Sequence, residues 1–253
     1  MSDKKNLNRF AKLDFEGFRA LASDESLSKY EKIGFPDSYR EGYEEAIFQD
    51  ILKKVPTLNA ENKVILDIGP GCSELPHMLI EHCRQQSHQL VLIDSEEMLK
   101  QLPDADFITK VSGYYPNDVL ETIVAYQRKV DAVIVYSVLH YIFEEGNIYD
   151  FLDQSLSLLN NGGHMLIGDI PNISKRKRFF SSETGIAFHK DFMKTDEPPV
   201  VSYDQVEFTK IDDGVLFGLM LRARTQGFDS YLLPQPDSLP MANRREDLLI
   251  TYA

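Results

Sequence analysis

Two glycines and an aspartate stand close together in the segment Val64-Ile-Leu-Asp67-Ile-Gly69-Pro-Gly71-Cys-Ser73, between an apolar run and a helical pattern. Glycines let a ligand approach the backbone closely, and the first turn of a helix offers N–H groups that have no partner within the helix. The strand-like run before the turn and Asp67 at its end strengthen this interpretation. We therefore expect a ligand at this turn; the alternative is a tight strand-to-helix turn that needs glycine only for its shape.

A second acid, Asp94, ends the next apolar run, residues 90–93, and follows Gly71 by 23 residues. A carboxylate in that position accepts hydrogen bonds from both ribose hydroxyls of an adenosine cofactor. Together with the glycine turn, Asp94 indicates a ligand that contains a nucleoside. NAD is the competing cofactor, but a dinucleotide-binding turn has a third glycine where this chain has Glu74. An oxidoreductase is therefore disfavoured.

The residues around these motifs alternate between apolar runs and helical patterns. Short apolar runs without polar alternation are typical of strands in a sheet that is buried on both faces, and repetition of strand and helix predicts parallel order. A helix over residues 211–226 then precedes two final strands. The predicted strands are residues 63–68, 90–93, 107–111, 131–135, 164–167, 228–233 and 247–252.

Two segments flank or interrupt this α/β pattern. Residues 1–60 have helical spacing, with an aromatic-rich connection over residues 29–40, and we expect a helical extension that caps a cleft. A helix pair that covers one edge of the sheet is the alternative. Residues 61–253 form the predicted main domain, and residues 171–200, which are polar and irregular in pattern, are a predicted insertion or lid.

Further motifs along the main domain complete a series over about residues 60–170. They are Val130-Asp-Ala-Val-Ile-Val-Tyr-Ser-Val-Leu-His140-Tyr141 and Leu158-Leu-Asn-Asn-Gly-Gly-His-Met-Leu-Ile. With the glycine turn and Asp94, the series resembles that of class I S-adenosylmethionine (SAM)-dependent methyltransferases. The resemblance implies a doubly wound α/β fold: a mostly parallel seven-stranded sheet, helices on both faces and an antiparallel final strand. It also implies SAM as cofactor and S-adenosylhomocysteine (SAH) as product.

The same resemblance implies which residues contact each part of SAM. Asp67, Gly69 and Gly71 at the turn would hold the methionine portion. Asp94 would hold the ribose.

Two more pairs of residues follow from the resemblance, each with a departure from the family pattern. Gly113 and Tyr114, after the third strand, would lie beside the adenine, although many family members have an Asp next to this glycine. Tyr136 and Ser137 would end the fourth strand against the sulfonium. This strand end lacks the Asn/Asp-Pro-Pro-aromatic motif of enzymes that methylate the exocyclic amine of adenine or the amide of glutamine, so that subclass is disfavoured.

The methyl acceptor needs its own contacts, because methyl transfer to a hydroxyl or a protonated amine requires that a base take a proton. His140, just after the fourth strand, is the first candidate, since imidazole titrates near neutral pH. A packed histidine at a helix start is the alternative. Tyr141 beside it, His189 in the 171–200 insertion and Asp169 at the end of the fifth strand are further candidates for the acceptor side.

Charged and aromatic residues outside the motifs supply other candidates for binding the substrate. Tyr39 and Arg40 are candidates to close over the cofactor from the N-terminal side, and an exposed helix cap is the alternative. The run Lys175-Arg-Lys-Arg178 is either a solvated face or a binding surface for a phosphate or carboxylate. Arg244 or Arg245 would reach an acidic acceptor if they lie near the cleft.

Bulk properties exclude several classes of protein. The net charge of −13 disfavours a nucleic-acid partner, because such binding relies on clustered Lys and Arg. No apolar run approaches the roughly 20 residues that span a bilayer, and residues 1–12 are polar and basic, so neither a membrane span nor a secretory signal is expected. The two cysteines are a poor disulfide framework, which predicts the cytoplasm. We predict no metal, because metal-ligand spacing is lacking around His77, His82 and His88.

The sequence thus predicts an enzyme, a SAM-dependent methyltransferase that methylates an oxygen or nitrogen of a small-molecule acceptor. The N-terminal helices and the 171–200 insertion would form the acceptor pocket. Two alternatives stay open: a methyltransferase that acts on protein or RNA, and a non-catalytic SAM-binding regulatory or partner protein.

Overall fold

Seven strands form one mixed sheet in the computed structural model, which describes residues 13–205 and 207–252, apart from the side chain of Ser38. The strands are β1 (Val64–Ile68), β2 (Gln89–Asp94), β3 (Ile108–Ser112), β4 (Val130–Tyr136), β5 (Leu159–Pro171), β6 (Asp229–Pro234) and β7 (Arg245–Thr251). Their order across the sheet is β3-β2-β1-β4-β5-β7-β6. Strands β1 to β5 pair in parallel, and β7 runs antiparallel between β5 and β6. The predicted sheet, mostly parallel with an antiparallel final strand, is confirmed.

The order of strands reverses between β1 and β4, which are neighbours although β2 and β3 come between them in the chain. In open α/β sheets a crevice forms outside the carboxyl ends of the strands at such a point, and ligands bind there. The residues that follow β1, β2 and β4 therefore converge on one place.

Helices cover both faces of the sheet. In the described part of the chain they are α1 (Phe15–Ser23), α2 (Lys29–Lys32), α3 (Glu44–Lys54), α4 (Glu74–Gln85), α5 (Glu96–Leu99), α6 (Leu120–Ile123), α7 (Leu139–Glu145), α8 (Ile148–Leu158), α9 (Ile173–Phe180), α10 (Glu183–Met193) and α11 (Asp213–Thr225). Successive strand residues point to opposite faces. On β1, Leu66 packs into the core beneath α8 and α11, whereas Ile65 packs into the core beneath α3 and α4. Burial on both faces explains why the strands lack polar alternation.

The segment over residues 171–200 differs from its predicted irregular structure, because it contains α9 and α10. Each helix begins at a polar cap. The Asn172 side chain accepts hydrogen bonds from the backbone N–H groups of Ser174 and Lys175, and the Ser182 side chain accepts one from Gly185. Asn and Ser favour both loops and helix N-caps, so a polar pattern alone does not separate the two.

Strand β5 is longer than predicted and includes the Asn160-Asn-Gly-Gly163 segment that we expected to be a turn. Gly162 has a φ of +77°, and the pairing of β4 with β5 shifts register between Val130 and Ala132. An irregularity of this kind bends a strand without ending it.

The predicted N-terminal extension is helical where it is described, in α1, α2 and α3. Residues 1–12, on which the expectation about a secretory signal depends, lie outside the described residues. None of the helices in the described part has both the length and the apolar character that crossing a membrane requires.

Candidate functional site

The glycine turn after β1 requires glycine at two positions. Gly69 has a φ of +71° and Gly71 a φ of +66°, a region that other residues rarely adopt. A Cβ atom at Gly69 would lie 2.6 Å from Cγ2 of Val138, and one at Gly71 would lie 2.7 Å from Cγ2 of Ile33. The turn is therefore packed against the end of β4 on one side and against the N-terminal segment on the other.

The two motifs singled out in the sequence are in direct contact. The backbone N–H of Gly71 donates to Oδ2 of Asp94 over 2.9 Å, and the Ser95 N–H donates to Oδ1 over 2.6 Å. The Gly69 N–H donates to the carbonyl of Ile93 over 2.8 Å. Both glycine amides are thus engaged within the protein. We expected free backbone donors at the glycines. The backbone N–H groups without a partner lie instead in the first turn of α4, where the N-cap Ser73 makes no side-chain capping hydrogen bond.

A cleft opens at the carboxyl ends of β1, β2 and β4, and we call it the main cleft. It encloses about 1010 Å³ including its opening, at the upper end of the range for small-molecule sites. Apolar rings from the N-terminal segment cover it. Nine of the predicted site residues line it: Arg40, Gly69, Gly71, Asp94, Gly113, Tyr114, Tyr136, Ser137 and Tyr141.

Two buried acids stand beside the glycine turn. Burial raises the pKa of Asp94 to about 6, although the hydrogen bonds from Gly71 and Ser95 act in the opposite direction. Burial and the charge of Asp94 raise the pKa of Asp67 to about 8, so Asp67 is mostly protonated at neutral pH. Asp67 lines a smaller neighbouring cavity and does not line the main cleft.

An ion pair closes the other side of the main cleft. Arg40 is buried, and its Nη2 donates to Oδ2 of Asp169 over 2.9 Å and also to the Ser137 hydroxyl, which donates to the same carboxylate over 2.6 Å. Burial acts to raise the pKa of Asp169, but the charges of Arg245 and Arg40 hold it below its ordinary value. Ser137 and Asp169 both have positive φ, +64° and +56°, at the ends of β4 and β5. Such conformations are uncommon in residues other than glycine and occur more often at functional sites than elsewhere.

Three polar atoms that belong to the lining of the main cleft are buried without a hydrogen-bond partner among the described residues. They are Nε of Arg40, Oε1 of Glu44 and the hydroxyl of Tyr114. Buried polar groups are nearly always paired, so these three atoms are available to polar groups of a ligand. Glu44 was missed in the sequence, but a signal was present: it continues the buried stripe of Ile47, Phe48 and Ile51 on α3.

Three other predicted residues lie outside the main cleft. Tyr39 ends the short helical turn Asp37–Tyr39. His189 lies on α10, with its ring 6.2 Å from that of Phe180. His140 lines a separate cavity of about 800 Å³ including its opening, together with Arg176, Lys210, Arg244 and Arg245, and we call it the basic cavity.

His140 lies at the boundary between the two cavities, because its ring is 3.9 Å from that of Tyr141, which lines the main cleft. Burial, followed by the charge of Arg245, lowers the pKa of His140 to about 3. Its Nδ1 is buried without a partner among the described residues. The imidazole is therefore neutral at physiological pH and has a nitrogen free for a hydrogen bond.

No protein-family model matches the sequence, and no curated protein does. Solved structures do match. The plantazolicin methyltransferase BamL, in complex with a triazolic desmethylPZN analog and SAH, is 13% identical with a TM-score of 0.57, covering 99% of this chain and 98% of that chain. The CurJ carbon methyltransferase is 13% identical with a TM-score of 0.57, and the match covers 98% of this chain but 66% of that one. The N-methyltransferase NodS from Bradyrhizobium japonicum WM9, in complex with SAH, is 14% identical with a TM-score of 0.53, covering 94% and 96%. This chain therefore has the fold of the class I SAM-dependent methyltransferases.

Proposed function

We propose that this protein is a SAM-dependent methyltransferase that transfers a methyl group to an oxygen or nitrogen atom of a small molecule. The observation that carries the proposal is the contact of Asp94 with the glycine turn at the edge of the main cleft. A carboxylate fixed there recognises a ribose diol, and the cleft is large enough for a nucleoside with a side chain.

The lining of the main cleft suits the three parts of SAM. Asp94 would hold the ribose, while Gly113 and Tyr114 would lie beside the adenine. The glycine turn, with Asp67 behind it, would hold the methionine portion. Tyr136 and Ser137 at the end of β4 would lie towards the sulfonium.

Arg40 and Glu44 extend this assignment. The amino-acid end of SAM carries one carboxylate and one ammonium group. The unpartnered Nε of Arg40 suits the carboxylate, and the unpartnered Oε1 of Glu44 suits the ammonium. Charge-assisted hydrogen bonds of this kind are shorter and stronger than neutral ones.

SAM supplies a methyl group on a positively charged sulfur, which an acceptor atom attacks in line. The protein then has to orient the acceptor and exclude water. Phe15, Phe18 and Phe35 line the main cleft from the N-terminal side and form an apolar cover. His140 would accept a hydrogen bond from the acceptor's hydroxyl or amine at its unpartnered Nδ1 and so orient the acceptor, and its low pKa keeps the imidazole neutral for this role.

Calorimetric titration with SAM and SAH tests the proposal, with Asp94→Ala as the principal variant. We expect binding at one site per chain and a loss of about 1–3 kcal/mol in Asp94→Ala, the scale of hydrogen bonds to a charged group. Asp94→Asn keeps the side-chain shape, and a melting curve of each variant checks that the glycine turn survives. Equal affinity for SAH in the wild type and in a folded Asp94→Ala would remove Asp94 from the site.

Turnover is measured separately, by following labelled methyl groups from SAM into the small-molecule and macromolecular fractions of a cell extract. We expect label in the small molecules and a loss of turnover in His140→Ala with unchanged SAH affinity. SAH binding without any turnover would favour a regulatory SAM-binding protein instead. Label in the macromolecular fraction would favour a protein or RNA substrate.

A further inference from the structure

The basic cavity and the main cleft meet at Asp169, which pairs with Arg40 from the lining of the main cleft and lies 3.7 Å from Arg245 in the lining of the basic cavity. Four segments form it: α7, the start of α9, the residues that precede α11, and the helical turn Ala242–Arg244 that leads into β7. Arg176, Lys210, Arg244 and Arg245 contribute its positive charge. Such a concentration of cations is unusual in a chain with a net charge of −13.

Two of these cations have counter-ions within the protein. Lys210 pairs with Glu144 over 3.0 Å. Arg245 lies 3.7 Å from Oδ2 of Asp169 and donates to its backbone carbonyl over 2.9 Å. Glu207, the other acid of the lining, pairs with Lys177. The acids of the basic cavity are therefore already occupied.

Arg176 and Arg244 have no carboxylate within ion-pair distance among the described residues. The guanidinium of Arg176 lies 5.2 Å from the centre of the Phe180 ring, and that of Arg244 lies 6.0 Å from it. Both guanidinium groups therefore lie near the Phe180 ring, in the same part of the basic cavity. Among the described residues, the Arg244 guanidinium donates a hydrogen bond only to the neighbouring Asn243 side chain, over 3.0 Å.

The electrostatics of this pair are unfavourable without a further anion. Burial lowers the pKa of Arg244, and the positive charges of Arg245 and Arg176 lower it further. A half-buried cation that faces two others is stabilised by a negative charge from outside the protein.

The sequence alone did not decide whether the basic run Lys175–Arg178 is a solvated face or a binding surface. Lys175 donates to the carbonyl of Arg245 over 2.8 Å, Lys177 pairs with Glu207, and Arg178 pairs with Asp213 over 2.5 Å. Three members of the run thus serve the structure. The fourth, Arg176, points to the basic cavity.

We propose that the basic cavity binds an anionic group of the methyl acceptor, a carboxylate or a phosphate, through Arg176 and Arg244. The planar guanidinium fork matches either anion with two parallel hydrogen bonds. An acceptor anchored there extends past His140 and Tyr141 towards the main cleft. The assignment of the anion to an acceptor rests on the proposed function, whereas the anion site itself does not.

Titration with inorganic phosphate and, separately, with acetate tests the proposal by calorimetry at low ionic strength. We expect saturable binding of at least one of them to the wild type, and at least tenfold weaker binding in Arg176→Ala/Arg244→Ala. The matched control is Arg84→Ala/Arg222→Ala, which removes the same charge from two exposed ion pairs and should bind as the wild type does. Arg176→Ala alone, at an exposed position, gives the same test in a variant that folds, with an intermediate loss.

The outcomes separate the two anions and the two proposals. Saturation by phosphate alone assigns a phosphorylated acceptor, and saturation by acetate assigns a carboxylate. No saturable binding, or equal losses in the control and in the cavity variants, overturns the anion site. SAH affinity should be unchanged in every variant, since these arginines lie outside the main cleft. Failure of SAH to bind the wild type overturns the proposed function. The phosphate and acetate titrations then decide the anion site alone.

Discussion

Asp67 has a pKa that links protonation to stability. Its pKa is raised from an ordinary value of 3.8 to about 8, chiefly by burial. Between pH 4 and pH 8 the folded protein therefore keeps a proton that the unfolded chain has released. Because the folded state binds more protons, the contribution of Asp67 to the free energy of unfolding falls as pH rises through that range. Above pH 8 this contribution is fully lost.

Asp67→Asn removes this dependence, because an amide does not titrate. We expect the loss of unfolding free energy between pH 5 and pH 8 to be smaller in Asp67→Asn than in the wild type, by at least about 1 kcal/mol. Urea unfolding at the two pH values measures it. Asp131→Asn is the control: despite burial, hydrogen bonds from Val64 and Asn160 keep the pKa of Asp131 below its ordinary value, so it stays ionised throughout. Parallel slopes for the wild type and Asp67→Asn would contradict the assignment.

The sequence anticipated some residues of the main cleft and not others, and distance along the chain explains the difference. Gly71 and Asp94 follow adjacent parallel strands, so their contact follows from the α/β pattern alone. Arg40 meets Asp169 from 129 positions away, and nothing local in the sequence specifies that pairing. The pKa of His140, likewise, is lowered first by burial and then by the charge of Arg245, which lies 105 positions away at the start of β7.

At the level of elements, the N-terminal helices meet the main cleft through a few apolar contacts. Phe15 on α1 packs edge-on against Tyr114 at 5.4 Å, and Phe18 packs edge-on against Tyr141 at 4.8 Å. Ile33, just after α2, packs against Gly71. The predicted cap thus contacts both the expected adenine side and the expected acceptor side, and we propose that it closes over bound ligands.

Gly71→Ala tests how closely this cap fits the glycine turn. The substitution forces alanine into positive φ and places a Cβ 2.7 Å from Ile33, so we expect a loss of about 1–3 kcal/mol of unfolding free energy. In Gly71→Ala/Ile33→Ala the steric part is relieved and the backbone strain remains. A double-mutant cycle by urea unfolding should therefore show a coupling of about 0.5 kcal/mol or more. Strictly additive losses would mean that the cap does not rest on Gly71.

Elements with a single strong pattern were predicted well. The apolar runs of β1, β2 and β4 follow from burial on both faces of the sheet. The helices α9 and α10 were not predicted, because their interiors carry charges and their caps resemble loop residues. α10 instead exposes Phe188 and Phe192, which stack on one another at 5.8 Å.

On the scale of the whole molecule, the charge is distributed unevenly. The chain has a net charge of −13, yet its basic cavity contains two arginines, Arg176 and Arg244, without ion pairs among the described residues. A nucleic acid backbone, in contrast to a small anion, would be repelled by the net negative charge of the whole chain. Long-range repulsion of this kind weakens with salt over a Debye length of about 8 Å at physiological ionic strength.

We therefore expect no saturable binding of a fluorescent duplex or of a structured RNA at physiological salt, measured by anisotropy. Polylysine in the same assay verifies that the probe reports binding. Micromolar binding that falls steeply with added salt would show a basic surface beyond the basic cavity and would revive RNA as a substrate.

Asp169 is shared by one arginine from each compartment, Arg40 and Arg245. An anion that draws Arg245 towards itself leaves more of the carboxylate to Arg40, and a ligand that recruits Arg40 leaves more of it to Arg245. With both proposed sites filled, occupancy of the main cleft or of the basic cavity would alter affinity in the other, and linkage would make that influence reciprocal and equal in size. We expect occupancy of the basic cavity to weaken binding in the main cleft, because the one aspartate near the end of β5 holds the arginine of one site more tightly when the arginine of the other site is drawn away.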